Sequence, residues 1–296
     1  MKYGFIAKHE ARFGVSDMCM LLGVSRSGYY DWCARRARPE SEHAQQDREL
    51  LSVIVEVFDQ ERRKYGSPRI HQRLRQLGRR HSNKRIARLM AQNGLFVRKK
   101  KRRIITTQAN PTHQHAANLL NRDFHAEQPN RKWVSDITQI STQEGDVYLA
   151  TTMDLYSRMI VGWAMDEHMD ASLTRRAFRM AVDRRCPQGL PKGMLHHSDR
   201  GSQYSDGGFR ADLANASSVQ SMSRTGNVWD NAVMESFFAT LEKELLVDHD
   251  FATRVDAKTE VFAWIEADYN RRRLHSTLGY LSPHDFEAKH WHGVPF

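Results

Sequence analysis

Three acidic residues, Asp136, Asp199 and Glu235, occupy positions from which side chains can act together. Asp136 lies in a strand-like run, Lys132 to Ile140. Asp199 follows the short run Met194 to His197 and precedes Gly201, a residue that permits a sharp exit. Glu235 falls one or two turns into a helix that begins near Trp229-Asp230-Asn231. In open α/β sheets the carboxyl ends of strands and the starts of the helices that follow share one edge, so the three acids can converge there. Carboxylates gathered away from water repel one another, and divalent cations relieve that cost. Mg²⁺ prefers oxygen ligands and keeps several waters, so a few carboxylates suffice. Two such ions flanking a phosphate activate a water or 3′-hydroxyl on one side and stabilise the leaving oxygen on the other. On this reading Asp136 bridges both ions, with Asp199 on one and Glu235 on the other. Position alone does not single the trio out, because most acids are surface solvators or helix caps.

The elements around the acids read as an α/β fold. Lys132–Ile140, Val147–Met153 and Arg158–Met165 are three strands, the first two joined by a turn at Glu144-Gly145-Asp146. Ser172–Arg184 is an amphipathic helix, Met194–His197 a short strand, Gly208–Ala214 helical and Val219–Ser221 a fifth strand. A long helix runs from about Asn227 through Leu246, and a last one from about Val255 to Asn270 precedes Arg271, Arg272 and Arg273. Hairpin-connected strands followed by alternating helix and strand give a mixed five-stranded sheet with flanking helices.

The 296-residue chain is long enough for two domains, and its charge is divided unevenly. Residues 1–128 carry 26 Lys and Arg against 12 Asp and Glu, and residues 129–296 carry 19 against 23. The net charge of +10 therefore arises in the N-terminal part, which suggests a polyanionic partner held there. Within it, Val15, Cys19 and Leu22 fall at helical spacing, Gly23 breaks the helix and Ser25 caps the next. This is the pattern of a helix-turn-helix with Arg26, Ser27, Tyr29 and Tyr30 on the second helix, the alternative being a plain helical hairpin. An apolar-periodic stretch, Leu50–Phe58, leads to Ser67-Pro68-Arg69, read as cap and first turn of a helix to about Leu77. A further helix from Ser82 to Asn93 ends before six consecutive cations, Arg98, Lys99, Lys100, Lys101, Arg102 and Arg103, read as a phosphate-contacting arm. The expected organisation is a helix-turn-helix-like unit over 1–45, a second helical DNA-binding unit over 46–105, a linker over 106–129, and a catalytic core with a helical tail over 130–296.

Cys19, Cys33 and Cys186 form no Cys-x-x-Cys pair, so neither a zinc site nor a disulfide framework is indicated. No apolar run reads as a signal peptide or a membrane span, and a cytoplasmic protein is expected. His196 and His197 fall on opposite faces of their strand and neither receives a metal role, His197 being the more structural. Gln203 and Tyr204 either contact DNA or close a turn. Asn231 caps the helix of Glu235 or approaches the DNA. Arg26, Tyr29, Arg69, the 98–103 run, Lys243 and Arg271–Arg273 are the candidate DNA contacts, with His275 beside the last. Trp133, Trp163, Phe237 and Phe238 read as core.

The runs W-V-S-D-I-T, H-H-S-D-R-G-S-Q-Y and D-N-A-V-M-E-S-F-F strongly resemble the integrase-type core of bacterial insertion-sequence transposases of the IS-three group. The 35 residues between Asp199 and Glu235 match that family's spacing, as do L-L-G-V-S-R-S-G-Y-Y, K-Y-G-S-P-R-I and Y-N-R-R-R-L-H-S-T-L-G-Y-L-S-P. The resemblance covers nearly the whole chain. It implies a ribonuclease-H-like fold, Mg²⁺ or Mn²⁺, double-stranded DNA as element end and target, and 3′-hydroxyl attack on phosphodiesters. It also implies a homo-oligomer on DNA, an upstream reading-frame partner and a nucleoid-associated location. One departure is Glu242, two turns after Glu235, where the family commonly carries Lys to touch the element end. Lys243, rotated by about 100°, is the substitute. Two alternatives stay open: a DNA-binding regulator of transposition with an inactive core, and a metal-dependent nuclease that does not join.

Overall fold

Alternation along one long strand sets the two faces of the C-terminal half. The computed structural model describes residues 1–38, 41–97, 115–225 and 227–292, and contacts divide the chain into two units, Met1–Phe96 and Val97–Phe296. The cations at 98–103 lie outside the described residues.

The first unit contains helices α1 (Lys2–His9), α2 (Val15–Leu21), α3 (Arg26–Ala37), α4 (Glu42–Gln60), α5 (Ser67–Gln76) and α6 (Asn83–Gln92). Helices α1–α3 close around Ile6, Met18, Cys19 and Tyr29. Helices α4–α6 bury Leu50, Ile54, Val57, Phe58, Ile70, Leu74, Ile86, Leu89 and Met90. Ion pairs tie them together: Asp47 of α4 takes Arg85 at 2.7 Å and Arg88 at 2.6 Å from α6, and Glu61 takes Arg73 of α5 at 2.7 Å. Ser25 and Ser82 cap α3 and α6 as their spacing predicts, accepting from Gly28 N and Arg85 N. Two expectations are corrected. Helix α4 starts at Glu42, well before the apolar run, because Ser41 caps it through Ala44 N. The α5 cap is Gly66, not Ser67, which places Pro68 in the first turn, where its missing N–H costs nothing.

In the second unit, β1 (Lys132–Thr142), β2 (Gly145–Asp154) and β3 (Ile160–Asp166) are followed by α7 (Ala171–Arg185), β4 (Leu195–Ser198), α8 (Ser202–Ser205), α9 (Gly207–Asn215) and β5 (Val219–Met222). The sheet order is β3-β2-β1-β4-β5, with β1, β2 and β3 antiparallel and β1, β4 and β5 parallel. A 3₁₀ turn at Val228–Asn231 leads into α10 (Ala232–Glu244), then α11 (Arg254–Ala263) and α12 (Pro283–His292). On one face Val134, Val147 and Leu149 meet Met234, Phe237, Leu241, Val261 and Trp264. On the other, Trp133 and Val161 meet Phe178, Phe209 and Leu213. Trp133 and Phe237 are core residues, and Trp163 and Phe238 pack against the core half-buried.

The expected last helix is interrupted: α11 passes into a π-helical turn, Trp264–Tyr269. Asn270 at its end both donates to and accepts from the Ile160 backbone at 2.9 Å, closing the start of edge strand β3. The stretch expected as a linker is docked from residue 115 on: Leu120 and Ala126 lie in the core, and Ser221 Oγ accepts from the backbone N–H groups of Leu119 and Leu120.

Helix α7 approaches β3 closely at Gly162, where a Cβ would sit 2.2 Å from the Ala177 carbonyl oxygen and 2.7 Å from Ala181 N. Gly162→Ala must push backbone from backbone. It is expected to destabilise the protein by about 1–3 kcal/mol, read as a lower denaturant midpoint at unchanged slope. An unchanged midpoint would contradict this close approach.

Candidate active site

The parallel pairing of β1 with β4 explains why Asp136 and Asp199 come together. Trp133 pairs with His196 and Val134 with His197. Continuing that register by two residues sets Asp136 level with Asp199, just past the end of β4, where the strands stop pairing and the site opens. Asp136 shares its face with Val134, the face that α10 covers, and α10 carries Glu235. One strand pair and one helix thus bring the three predicted acids to one edge.

Their electrostatics agree. Burial first, and then the charges of Asp199 and Glu235, push the Asp136 carboxyl well above the usual carboxylate range, against the Ile137 N–H that donates to its Oδ1 at 2.9 Å. Asp199 Oδ1 accepts from Gly201 N at 3.0 Å, and a Cβ on Gly201 would meet that oxygen at 3.1 Å, so the glycine allows the turn to fold under the carboxylate. Among the described residues no basic side chain pairs with Asp136 or Glu235. Nor, among them, is any group of three His, Cys, Asp or Glu side chains already arranged as a metal cage. A set of repelling oxygen donors fits a hard, water-retaining cation such as Mg²⁺ or Mn²⁺.

Both histidines are structural. His196 is fully buried among Phe178, Tyr204 and Phe209, with Nε2 2.8 Å from Ser135 Oγ. His197 is fully buried with Nδ1 2.8 Å from Ser221 Oγ and Nε2 3.2 Å from Ser223 Oγ. Burial lowers their pKa values to about 3 and about 4, so both are neutral at ordinary pH. Tyr204 is buried beneath the acids and its hydroxyl has no hydrogen-bond partner; burial and the charges of Asp136 and Asp199 raise its pKa. It is not a surface DNA contact. Gln203 donates to the Met169 carbonyl at 3.0 Å, tying α8 to the segment that leads into α7. Asn231 is 7% exposed, and both polar atoms of its amide lack a partner, so it stands at the head of α10 without capping it.

The candidate DNA contacts divide. Tyr29 is fully buried, its phenol bonded to Glu10, which removes it from the set. Arg26 is exposed at the start of α3, while Arg69 is half-buried over the Tyr65 ring, 5.3 Å from its centroid. Arg273 turns inward: its Nε lies 3.0 Å from Glu244 Oε1 on α10 and its guanidinium over Tyr269, whose ring meets Phe237 of α10 edge-on at 4.9 Å. The third arginine of the triplet is therefore a brace for α10, and His275, 9% exposed, packs against Tyr269 beside it. Arg271 and Arg272 are exposed. On α10, Glu242 is half-buried on the Glu235 face and Lys243 is exposed.

Asp230 was not among the candidates read from the sequence. Fully buried, it accepts from Arg224 N, Nε and Nη2 at 2.8–3.0 Å, from Arg122 Nε at 3.1 Å and from Asn118 Nδ2 at 2.8 Å. Its signal was only an acid five residues before Glu235; the partners come from distant parts of the chain. Hydrogen bonding from Arg224, then from its backbone and Arg122, holds the carboxyl far below the usual range. A depressed carboxyl stabilises the fold above its unfolded pKa, and that contribution disappears as pH falls through the acid range. Asp230→Asn is expected to cost about 2–3 kcal/mol at neutral pH, less than a fully buried pair because the guanidiniums are half-exposed. The deficit should shrink in acid. Melting curves against pH test this; a deficit that grows on acidification would show that Asp230 is not the depressed group.

Known proteins resemble the chain along nearly its whole length. Residues 126–228 and 217–283 each match a family described as Integrase core domain, and residues 45–103 match an HTH-like domain. Transposase InsF for insertion sequence IS3A of Escherichia coli (strain K12) is 41% identical over 292 residues, 98% of this chain and 99% of that protein. An insertion element IS600 uncharacterized 31 kDa protein of Shigella sonnei is 40% identical over 273 residues, covering 92% and 98%. A structure of the HTLV-2 integrase catalytic core domain in complex with magnesium is similar at 15% identity and a TM-score of 0.42, over 54% of this chain and 98% of that one.

Proposed function

Because the chain belongs to the insertion-sequence transposases of the IS3 type, polynucleotidyl transferases with an integrase core of ribonuclease-H-like fold, we propose that Asp136, Asp199 and Glu235 are its catalytic residues. The observation that carries this is the β1–β4 register, which sets two of the acids level beneath the helix that bears the third. The same three side chains would hold divalent metal, Mg²⁺ or Mn²⁺ and two ions on this reading. When bound, such ions neutralise the carboxylates and make an oxygen nucleophile reactive toward a phosphodiester.

The protein's own part is positioning. Strand β1 is held on both sides, by β2 and β4, so Asp136 sits on the central strand of the sheet. Glu235 is set by α10, which Arg273 and Tyr269 brace from the C-terminal segment. In strand transfer the 3′-oxygen of the element end forms a new bond to a target phosphorus, and the target's own 3′-oxygen leaves. Asp136→Asn, Asp199→Asn and Glu235→Gln are each expected to reduce joining of a pre-cleaved end to plasmid DNA by several orders of magnitude while DNA binding survives. Near-normal joining by any variant would remove that residue from the set. Nicked plasmid without joined product from the unaltered chain would favour a nuclease, and binding without either product a regulator.

DNA is the partner that helix-turn-helix-like and integrase regions together imply. We assign the N-terminal grip to Arg26, Arg69 and the 98–103 cations, with Lys243, Arg271 and Arg272 nearer the core. Replacing the six cations at 98–103 with alanine should flatten the dependence of log affinity on log salt by up to about 0.9 for each phosphate they neutralise. An unchanged slope would rule the arm out. Two ends must be held during transposition, so a homo-oligomer on DNA belongs to the same proposal, as do an upstream reading-frame partner and action in the cytoplasm at the nucleoid. Among the described residues, no helix is long and apolar enough to cross a membrane.

A further inference from the structure

The segment between the second and third acids ends in a turn whose construction the roles of those acids do not explain. Three guanidiniums converge on it. Arg200, next to Asp199, donates from Nε to the Ser223 carbonyl and from Nη1 to Thr225 Oγ1, both at 2.7 Å. Arg224 grips Asp230 with two side-chain donors, and Arg122 donates to Asp230 at 3.1 Å and to Asn227 Oδ1 at 3.0 Å. The one carboxylate among these contacts, Asp230, is wholly buried, whereas the arginine side chains at positions 122 and 224 keep 46% and 48% of their surface in solvent. The turn is therefore both firmly tied and positive outward.

On this turn stands Trp229, 67% exposed. Trp133 and Trp264 are buried and Trp32 and Trp163 are partly covered. Among the described residues Trp229 makes no ring contact of its own. An indole left in water beside a buried, five-fold hydrogen-bonded Asp230 loses burial energy with no gain to the fold. Its neighbour Asn231, 7% exposed, leaves both ends of its amide unpartnered at the head of α10, one turn before Glu235. An exposed aromatic, flanking cations and an unsatisfied amide are the components with which proteins hold unpaired nucleotides: bases stack on the ring, phosphates meet the cations, and amides bond base edges.

We propose that the turn bearing Trp229 is a nucleotide clamp at the mouth of the active site, in which Trp229 stacks on an unpaired base at the DNA end, Arg122 and Arg224 hold the adjoining backbone and Asn231 bonds that nucleotide. This rests on the reading of the chain as a DNA strand-transfer enzyme and names how it grips the end beside the reacting phosphate. Asp230 is the positioning residue of the clamp. Stacking tolerates any base, so the clamp secures the end without reading its sequence.

The test uses the full chain with a DNA duplex carrying a short single-stranded overhang that contains 2-aminopurine. The unaltered protein should quench the fluorophore on binding. Trp229→Ala should keep its melting temperature, since the side chain supports nothing in the core, and should lose the quenching. The DNA-end concentration for half-maximal joining should rise roughly 5- to 100-fold, with a smaller change in the rate at saturating DNA. Trp229→Phe should retain most of both signals, and Asp136→Asn should quench like the unaltered chain. Quenching by Trp229→Ala equal to that of the unaltered protein, or an unchanged half-saturating concentration, overturns the clamp. If the unaltered chain quenches through Trp229 but joins no DNA, the strand-transfer reading fails and the stacking contact stands.

Discussion

Three carboxylates that repel one another are held at the edge of a sheet, and much of the second unit is arranged to keep them there. Left to itself, such a cluster would swing its side chains apart into water. The parallel pairing of β1 with β4 prevents this for the two aspartates, because the backbone register, continued by two residues, places them level and a nearby backbone N–H donates to each. The cost appears in Asp136, whose carboxyl resists ionisation because of burial and its neighbours. Carboxylates crowded in this way are of the kind whose repulsion a bound divalent cation relieves.

The third acid depends on a helix that meets the sheet through Met234, Phe237 and Leu241. A helix held only by apolar packing can shift along its axis. Here the two ends are pinned by charge. Asp230 ties the entry to Arg224, Arg122 and Asn118, and Glu244 ties the exit to Arg273. Aromatic contact between Tyr269 and Phe237 fills the middle. Asn270, the residue that follows the π-helical turn, clamps the start of β3 in the same segment. The Tyr269-to-His275 run is thus largely a brace for the site, and only Arg271 and Arg272 of its arginines face solvent.

Much of this was legible in the sequence. The five strands follow from alternation and turn residues, and their ends shift by only a residue or two. The three acids stood out through the family motifs that contain them, since position alone did not separate them from other acids. What could not be read was the choice between burial and exposure for side chains that suit both. Tyr29 and Arg273 carry the chemistry of DNA contacts, yet each has an acidic partner, Glu10 or Glu244, that draws it inward. Asp230 escaped notice for the same reason, since its partners at 118, 122 and 224 are neighbours only after folding.

By itself, then, the sequence determined the fold class and the family, and proposed the three acids, because periodicity and motif spacing are local properties of the chain. The tertiary structure alone decided that Asp136 and Asp199 stand level, that both histidines are neutral core residues, and which arginines face inward. Register and ion-pair choice are set by contacts between segments far apart along the chain, and linear spacing carries no record of them. The convergence of the acid trio is the clearest case: its members are evident in one dimension, and their mutual repulsion exists only in three.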